Sequence, residues 1–163
     1  MRHLKVGLDE SYDPALLGRI EDVLHGENLI QVILHAHLLI ERALVIRISE
    51  KLARPEIMTN GKYAKLSFAQ KTSLYIGMYG PSEEDENLLL AFNKLRNMIA
   101  HQITDEEECV RKCLPWDGWD GEKITSPPEP LRRVHVCAMI LLFTLGAIKS
   151  VHRTDMGSPP SVA

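Results

Sequence analysis

The sequence predicts an all-α protein, a four-helix up-and-down bundle with short additional helices. Apolar residues recur every three or four positions along most of the chain, short breaks containing Gly or Pro separate these segments, and no segment shows the alternation of a half-buried strand. With 163 residues and 45% hydrophobic content, the chain is long enough to bury one core. We therefore expect a single domain over residues 1–155 and a disordered tail over 156–163.

Caps and periodicity predict the helices of the first half. Asp13 and Pro14 suit the N-cap and first position of a helix that ends near Gly26. Residues 27–53 contain neither Gly nor Pro and should form one long amphipathic helix. Its apolar positions are Leu29, Ile33, Ala36, Ile40, Ala43, Leu44 and Ile48. Residues 63–79 should form a third helix ended by Gly80, with apolar residues Leu66, Ala69, Leu74 and Ile76.

The second half is predicted in the same way. Ser82 should cap a fourth helix, acidic in its first turn as the helix dipole favours, that runs to about His101. Thr104 and Glu107 predict a capping box for a short helix ending near Cys113. Residues 114–130 should be a loop, and residues 131–152 a last helix that is apolar nearly all round. Trp116 and Trp119 in the loop suit either base stacking or anchoring of the loop to the bundle.

Charge and cysteine content limit the function classes. Lys and Arg number 19 against 22 Asp and Glu, a net charge of −3, which excludes nucleic-acid binding by bulk charge but leaves room for a local basic site. The three cysteines show no framework spacing, and Cys109 with Cys113 lacks further zinc ligands, so we expect a reducing compartment, no metal and no cofactor. The longest apolar run, from Val136 to Ile148, is shorter than the about 20 residues that a bilayer span needs. A cytoplasmic protein without a membrane segment is therefore expected.

The end of the fourth helix carries the candidate site, Arg96, Asn97 and His101. At about 100° per residue from Leu88, the core residues Phe92, Leu95 and Ile99 lie within about 40°, whereas Asn97 lies at about 180° and His101 at about 220°. These two can share a site directly. Arg96, at about 80°, joins them only through its long side chain or a distorted last turn. Leu90 lies on the same outward face, which indicates contact with a second subunit.

The pattern Arg96-Asn97-x-x-x-His101 resembles the R-x4-H signature of the HEPN superfamily. Residues 37–44 and 66–71 are also similar to HEPN-like bundles, including the mannitol-operon repressor type, and the resemblance covers residues 25–150. It implies a helical bundle with a metal-independent endoribonuclease site formed by Arg96, Asn97 and His101. It further implies a homodimeric toxin or phage-defence component with RNA as substrate and an antitoxin protein as a partner.

The chemistry of these residue types suits that function. Attack of an RNA 2′-hydroxyl on its own phosphate needs a proton acceptor near neutral pH, which a histidine supplies. The negative charge of the phosphorane suits a planar guanidinium such as that of Arg96. Asn97 can hold the imidazole or a phosphate oxygen. Two protomers that pack their motif helices together would concentrate positive charge around one groove.

Other interpretations stay open. An Arg and a His near a helix C-terminus also complement its dipole, and a catalytically inactive HEPN-like module would bind a nucleotidyltransferase antitoxin or a transcription partner instead. His37 and Glu41, one turn apart, are interpreted as a hydrogen-bonded pair on a solvated or dimer-facing stripe. A run of basic residues at helical spacing is interpreted as a solvated face of the helix, and the alternative is a surface that binds RNA. The run consists of Arg42, Arg47, Lys51 and Arg54.

Overall fold

The computed structural model describes residues 4–8, 20, 26–60, 62–101, 105–114 and 129–153. Most of these residues are helical, which confirms the helical class. The helices are α1 (Leu29–Lys51), α2 (Phe68–Tyr79), α3 (Glu83–Ala100), α4 (Glu106–Cys113) and α5 (Pro130–Thr144). Two 3-10 helices, Pro55–Met58 and Lys62–Lys65, connect α1 to α2. Of the helix expected over 14–25 only Ile20 is described, and it is helical and buried. The expected tail and the loop with Trp116 and Trp119 lie outside the described residues.

A pair of strands departs from the purely helical expectation. Strand β1 (Leu4–Leu8) pairs antiparallel with β2 (Ile148–Arg153). Leu4 lies opposite Arg153 and Leu8 opposite Ile148, with a register irregularity between Gly7 and Leu8. The pairing joins the two ends of the described chain.

The predicted last helix over 131–152 is wrong at its C-terminal end, because α5 stops at Thr144. Gly146 has a φ of 70°. Its N–H donates to the Phe143 carbonyl at 2.8 Å, and the Ala147 N–H donates to the Leu142 carbonyl at 2.8 Å. These two bonds form a Schellman motif, which satisfies the last carbonyls and turns the chain out of the helix. The residues that follow enter β2.

Caps also shift the start of two other helices. The expected helix over 63–79 is divided: α2 begins only after Ser67, which forms a capping box with Gln70. Helix α4 is capped by Asp105, whose side chain accepts from the Glu108 N–H at 3.0 Å, and not by Thr104, which lies outside the described residues. The Ser82 cap of α3 is confirmed.

The core lies around α1, which packs against α2, α3 and α5. Of the apolar positions expected there, all are buried except Leu29, which is half-buried. The face of α2 differs from expectation, because Ala69 and Leu74 are exposed. Helix α2 instead buries Phe68, Lys71, Thr72 and Tyr75.

Helices α1 and α2 run in the same direction. The His37 ring lies against Phe68, Glu41 pairs with Lys71, and the Arg47 carbonyl accepts from the Tyr79 hydroxyl at 2.6 Å. Successive positions of α1 therefore meet successive positions of α2 in the same order. The two 3-10 helices provide the return between them. This connection departs from an up-and-down order, in which consecutive helices are antiparallel.

Among the described helices, α1 is long and apolar enough to cross a membrane, as judged by length and composition. Half of its most apolar window, 50%, is buried inside the fold. The central helix of a globular core has the same length and composition.

Candidate functional site

The three candidate residues lie at the outer end of α3, and all three are exposed. On the side of the helix opposite Asn97 and His101, Phe92 and Leu95 are fully buried. The periodicity that predicts a core side and an outward side for this helix is therefore confirmed. In the last turn, Asn97 and Ala100 are exposed, while Met98 and Ile99 are half-buried.

Arg96 and Asn97 are the two candidate residues that contact each other. The Arg96 Nη1 atom donates to the Asn97 Oδ1 atom at 3.2 Å. His101 is the C-cap of α3, and its backbone N–H donates to the carbonyls of Asn97 and Ile99. Its side chain makes no hydrogen bond or ion pair with the described residues. The long side chain of Arg96 thus reaches Asn97, and His101 is exposed one turn further along the helix.

A buried polar cluster, consisting of His37, Glu41 and Lys71, lies where α1 and α2 meet. The Lys71 Nζ atom lies 2.6 Å from the Glu41 Oε1 atom, and Lys71 is only 7% exposed. The His37 ring is 4.3 Å from that of Phe68, between ring centroids. The interpretation of His37 and Glu41 as a hydrogen-bonded pair on a solvated or dimer-facing stripe is therefore wrong. His37 is buried, and Glu41 pairs with a lysine from the next helix.

The cluster also interacts electrostatically with the motif. Burial is the largest influence on His37 and lowers the pKa of its imidazole to about 4. The negative charge of Glu41 raises this pKa, while the positive charges of Arg96 and Lys71 lower it further. The imidazole is consequently neutral at pH 7. Arg96 is thus close enough to act on His37, a relation between two distant segments that no local sequence pattern reveals.

The cysteines do not form a nucleophilic or metal-binding group. Cys109, Cys113 and Cys137 are all buried and unpaired by disulfides. Burial raises the pKa of Cys137 to about 12, and Cys113 donates a hydrogen bond to the Met98 sulfur at 3.3 Å. Within the described ranges, no three or more His, Cys, Asp or Glu side chains are grouped as metal ligands.

The basic run on α1 and beyond it is largely exposed, as expected of a solvated face. Arg42, Lys51 and Arg54 are exposed, and Arg54 pairs with Glu56 at 3.1 Å. Arg47 is half-buried and pairs with Glu50 at 2.9 Å. Because part of this positive charge is paired with carboxylates, the basic run offers little support for the alternative that it binds RNA.

A cleft of about 640 Å³ lies where the N-termini of α1 and α5 approach α4. Three carboxylates, those of Glu27, Glu107 and Glu129, line it together with Arg111 and Arg133. The carboxylates make this cleft unsuited to a polyanion. The exposed end of α3 is therefore the better candidate for a nucleic-acid contact.

No protein family model, curated protein or solved structure matches this chain.

Proposed function

We propose that this protein is a metal-independent endoribonuclease of the HEPN type, acting as a toxin or phage-defence component. The observation that carries the proposal is the 3.2 Å hydrogen bond from Arg96 to Asn97 on an exposed helix end, one turn before an exposed histidine, His101. A guanidinium, an amide and an imidazole are thereby presented to solvent together. The helical class suits a HEPN-like bundle, although the parallel α1 and α2 depart from the simplest order of such a bundle.

Each side chain has a defined part in the proposed reaction. The His101 imidazole accepts the proton of the RNA 2′-hydroxyl as the 2′-oxygen forms a bond to phosphorus. The bond from phosphorus to the 5′-oxygen then breaks, leaving a 2′,3′-cyclic phosphate, and the 5′-oxygen takes a proton from solvent. Arg96 stabilises the negative charge of the phosphorane, and Asn97 holds the guanidinium in place.

The guanidinium of Arg96 is available for a phosphate. Among the described residues it makes no ion pair, and its hydrogen bond to Asn97 occupies one of its five donors. The carboxylate of the neighbouring cluster, Glu41, is already neutralised by Lys71. A local anion site is therefore compatible with a whole-chain net charge of −3.

A panel of single variants tests this proposal. Arg96→Ala and His101→Ala should each reduce the rate of RNA cleavage by about 100-fold or more, because each removes a group that acts in the transition state. Arg132→Ala, which removes an exposed arginine from α5, is the matched control and should cleave at the rate of the unmodified protein. Circular dichroism should be the same for all three variants, since the altered side chains are exposed. Equal rates for His101→Ala and the control would contradict the proposal.

A second candidate function is a HEPN-like interaction module that does not cut RNA. Leu90 is 46% exposed and Phe143 is 56% exposed, and large apolar side chains in solvent favour a protein interface. The partner would be an antitoxin, such as a nucleotidyltransferase, or a transcription regulator. Absence of cleavage by the unmodified protein, together with co-purification of the product of a neighbouring gene that Leu90→Glu abolishes, would favour this function.

A further inference from the structure

The cleft where the N-termini of α1 and α5 approach α4 carries both signs of charge, and none of the residues proposed to cut RNA lines it. Its volume of about 640 Å³ falls within the about 300–1,000 Å³ of sites that bind small molecules. Its carboxylates belong to Glu27, Glu107 and Glu129, and its guanidinium groups to Arg111 and Arg133. Which ligand suits the cleft depends on which of these charges are already paired.

Arg133 supplies a buried positive charge without a counter-charge. It is 6% exposed and is the one buried residue among those that line the cleft. Its Nη1 atom donates to the Leu114 carbonyl at 3.3 Å, whereas its buried Nε atom has no hydrogen-bond partner. Within the part of the chain that the structure describes, Arg133 makes no ion pair. Because a guanidinium stays charged at neutral pH and an unpaired buried charge is costly, the site favours an anionic group beside Arg133.

The exposed charges of the cleft differ in whether they are paired. Glu107 accepts from Arg111 one turn further along α4 at 2.6 Å, so these two charges neutralise each other. Glu27 and Glu129 are exposed, and neither makes an ion pair with the described residues. Glu129 is the N-cap of α5, but its side chain makes no capping hydrogen bond, so its carboxylate oxygens are available as acceptors. Two carboxylates at the surface and one buried guanidinium therefore remain unpaired in the cleft.

We propose that this cleft binds a free α-amino acid with a basic side chain, such as arginine or lysine. The ligand carboxylate pairs with Arg133, and the two cationic groups of the ligand pair with Glu27 and Glu129. The planar guanidinium of Arg133 suits a carboxylate because the two groups can form parallel hydrogen bonds. The exposed carboxylates suit the ligand's ammonium group, which is strongly hydrated and keeps contact with water there.

The balance of charge selects this ligand class over the alternatives. An anion such as phosphate would pair with Arg133 but would be repelled by Glu27 and Glu129. A diamine would neutralise the two carboxylates and leave the buried guanidinium unpaired. An amino acid with a neutral side chain would leave one carboxylate without a partner. Of these ligand classes, only a molecule with one carboxylate and two cationic groups pairs with all three charges.

Isothermal titration calorimetry of the full chain at pH 7 tests the ligand class. Arginine and lysine should bind, with Kd of about 1 mM or lower. Agmatine, which is arginine without its carboxylate, should bind about tenfold or more weakly, because it leaves Arg133 unpaired. Citrulline, which has the shape of arginine but an uncharged end, should also bind about tenfold or more weakly. Equal binding of agmatine and arginine, or no binding of arginine and lysine at about 10 mM, would overturn the proposal.

Variants of the same titration test the position of the site. Glu27→Gln and Glu129→Gln should each weaken arginine binding by about tenfold and should fold normally, because both side chains are exposed. Glu84→Gln, at an exposed glutamate of α3, is the matched control and should bind arginine as the unmodified protein does. Arg133→Met should fold, since an apolar side chain replaces an unpaired buried charge, and should no longer be stabilised by arginine against thermal unfolding. Equal affinities of the two glutamine variants and the control would overturn the proposal. None of these results bears on RNA cleavage, because the altered residues lie away from the end of α3.

Discussion

His37 is the residue whose environment differs most from the one its local sequence suggests. It lies in the middle of α1, is 6% exposed, and its Nε2 atom has no hydrogen-bond partner. Burial without a partner for this atom explains why the pKa of its imidazole falls from 6.5 to about 4. The ring acts as an aromatic core residue, packed on Phe68, that carries a polar atom.

The free energy of unfolding should depend on the protonation of this histidine. Because its pKa is lower in the folded state, the contribution is fully present above pH 6.5 and is lost as the pH falls from 6.5 toward 4. Between pH 7 and pH 5 the loss should be about 2 kcal/mol. His37→Leu fills a similar volume without a titrating group. Urea unfolding of both proteins at pH 7 and pH 5 should show a smaller decrease for His37→Leu, and an identical decrease would contradict the assigned burial.

The sequence predicts some of the site residues better than others. The exposure of Arg96, Asn97 and His101 follows from helical periodicity, since the apolar residues of α3 define its buried side. The burial of His37 and the pairing of Glu41 with Lys71 depend on contacts between two helices, 30 or more residues apart. Periodicity within one helix contains no information about which neighbour will cover a polar side chain.

At the scale of the element, glycines and caps determine where the helices begin and end. The structure places α1 at Leu29–Lys51, within two residues of the segment predicted from its lack of Gly and Pro. The end of α5 was not predicted, because Gly146 lies within an apolar run that looks continuous. Its Schellman motif depends on a left-handed φ and on the space beside the glycine, where the Arg47 guanidinium lies. The strands were not predicted either, since they pair opposite ends of the chain.

Two glycine substitutions should have opposite effects on the free energy of unfolding. Gly146→Ala forces a side chain into a φ of 70°, and its new Cβ would lie 2.8 Å from the Arg47 Nη2 atom. It should destabilise the protein by about 2 kcal/mol. Gly77 lies inside α2 with nothing within 4 Å of an added Cβ, so Gly77→Ala should stabilise by about 0.5–1 kcal/mol.

Thermal unfolding of the two alanine variants and of the unmodified protein measures these changes in stability. The midpoint should fall for Gly146→Ala and rise for Gly77→Ala. A neutral result at Gly146 would mean that α5 does not end in the left-handed turn described.

At the scale of the whole molecule, the candidate site and the exposed apolar side chains of α1 lie on different helices. The exposed end of α3 carries Arg96, Asn97 and His101. The N-terminal half of α1 exposes three apolar side chains, those of Ile30, Leu34 and Leu38. The overall class of the fold was predictable, because periodicity is local. The parallel arrangement of α1 and α2 was not, because it depends on how two 3-10 helices route the chain.

In the reaction we propose, Arg96 and His101 promote cleavage of RNA by attack of its own 2′-hydroxyl. The most direct measurement is incubation of one single-stranded RNA, and the DNA of the same sequence, with the purified protein in EDTA. We expect the RNA to be cut, its products to end in 2′,3′-cyclic phosphates, and the DNA to stay intact because it lacks the attacking hydroxyl. Cleavage that stops in EDTA and returns with Mg²⁺, or equal cleavage of the DNA, would contradict this mechanism.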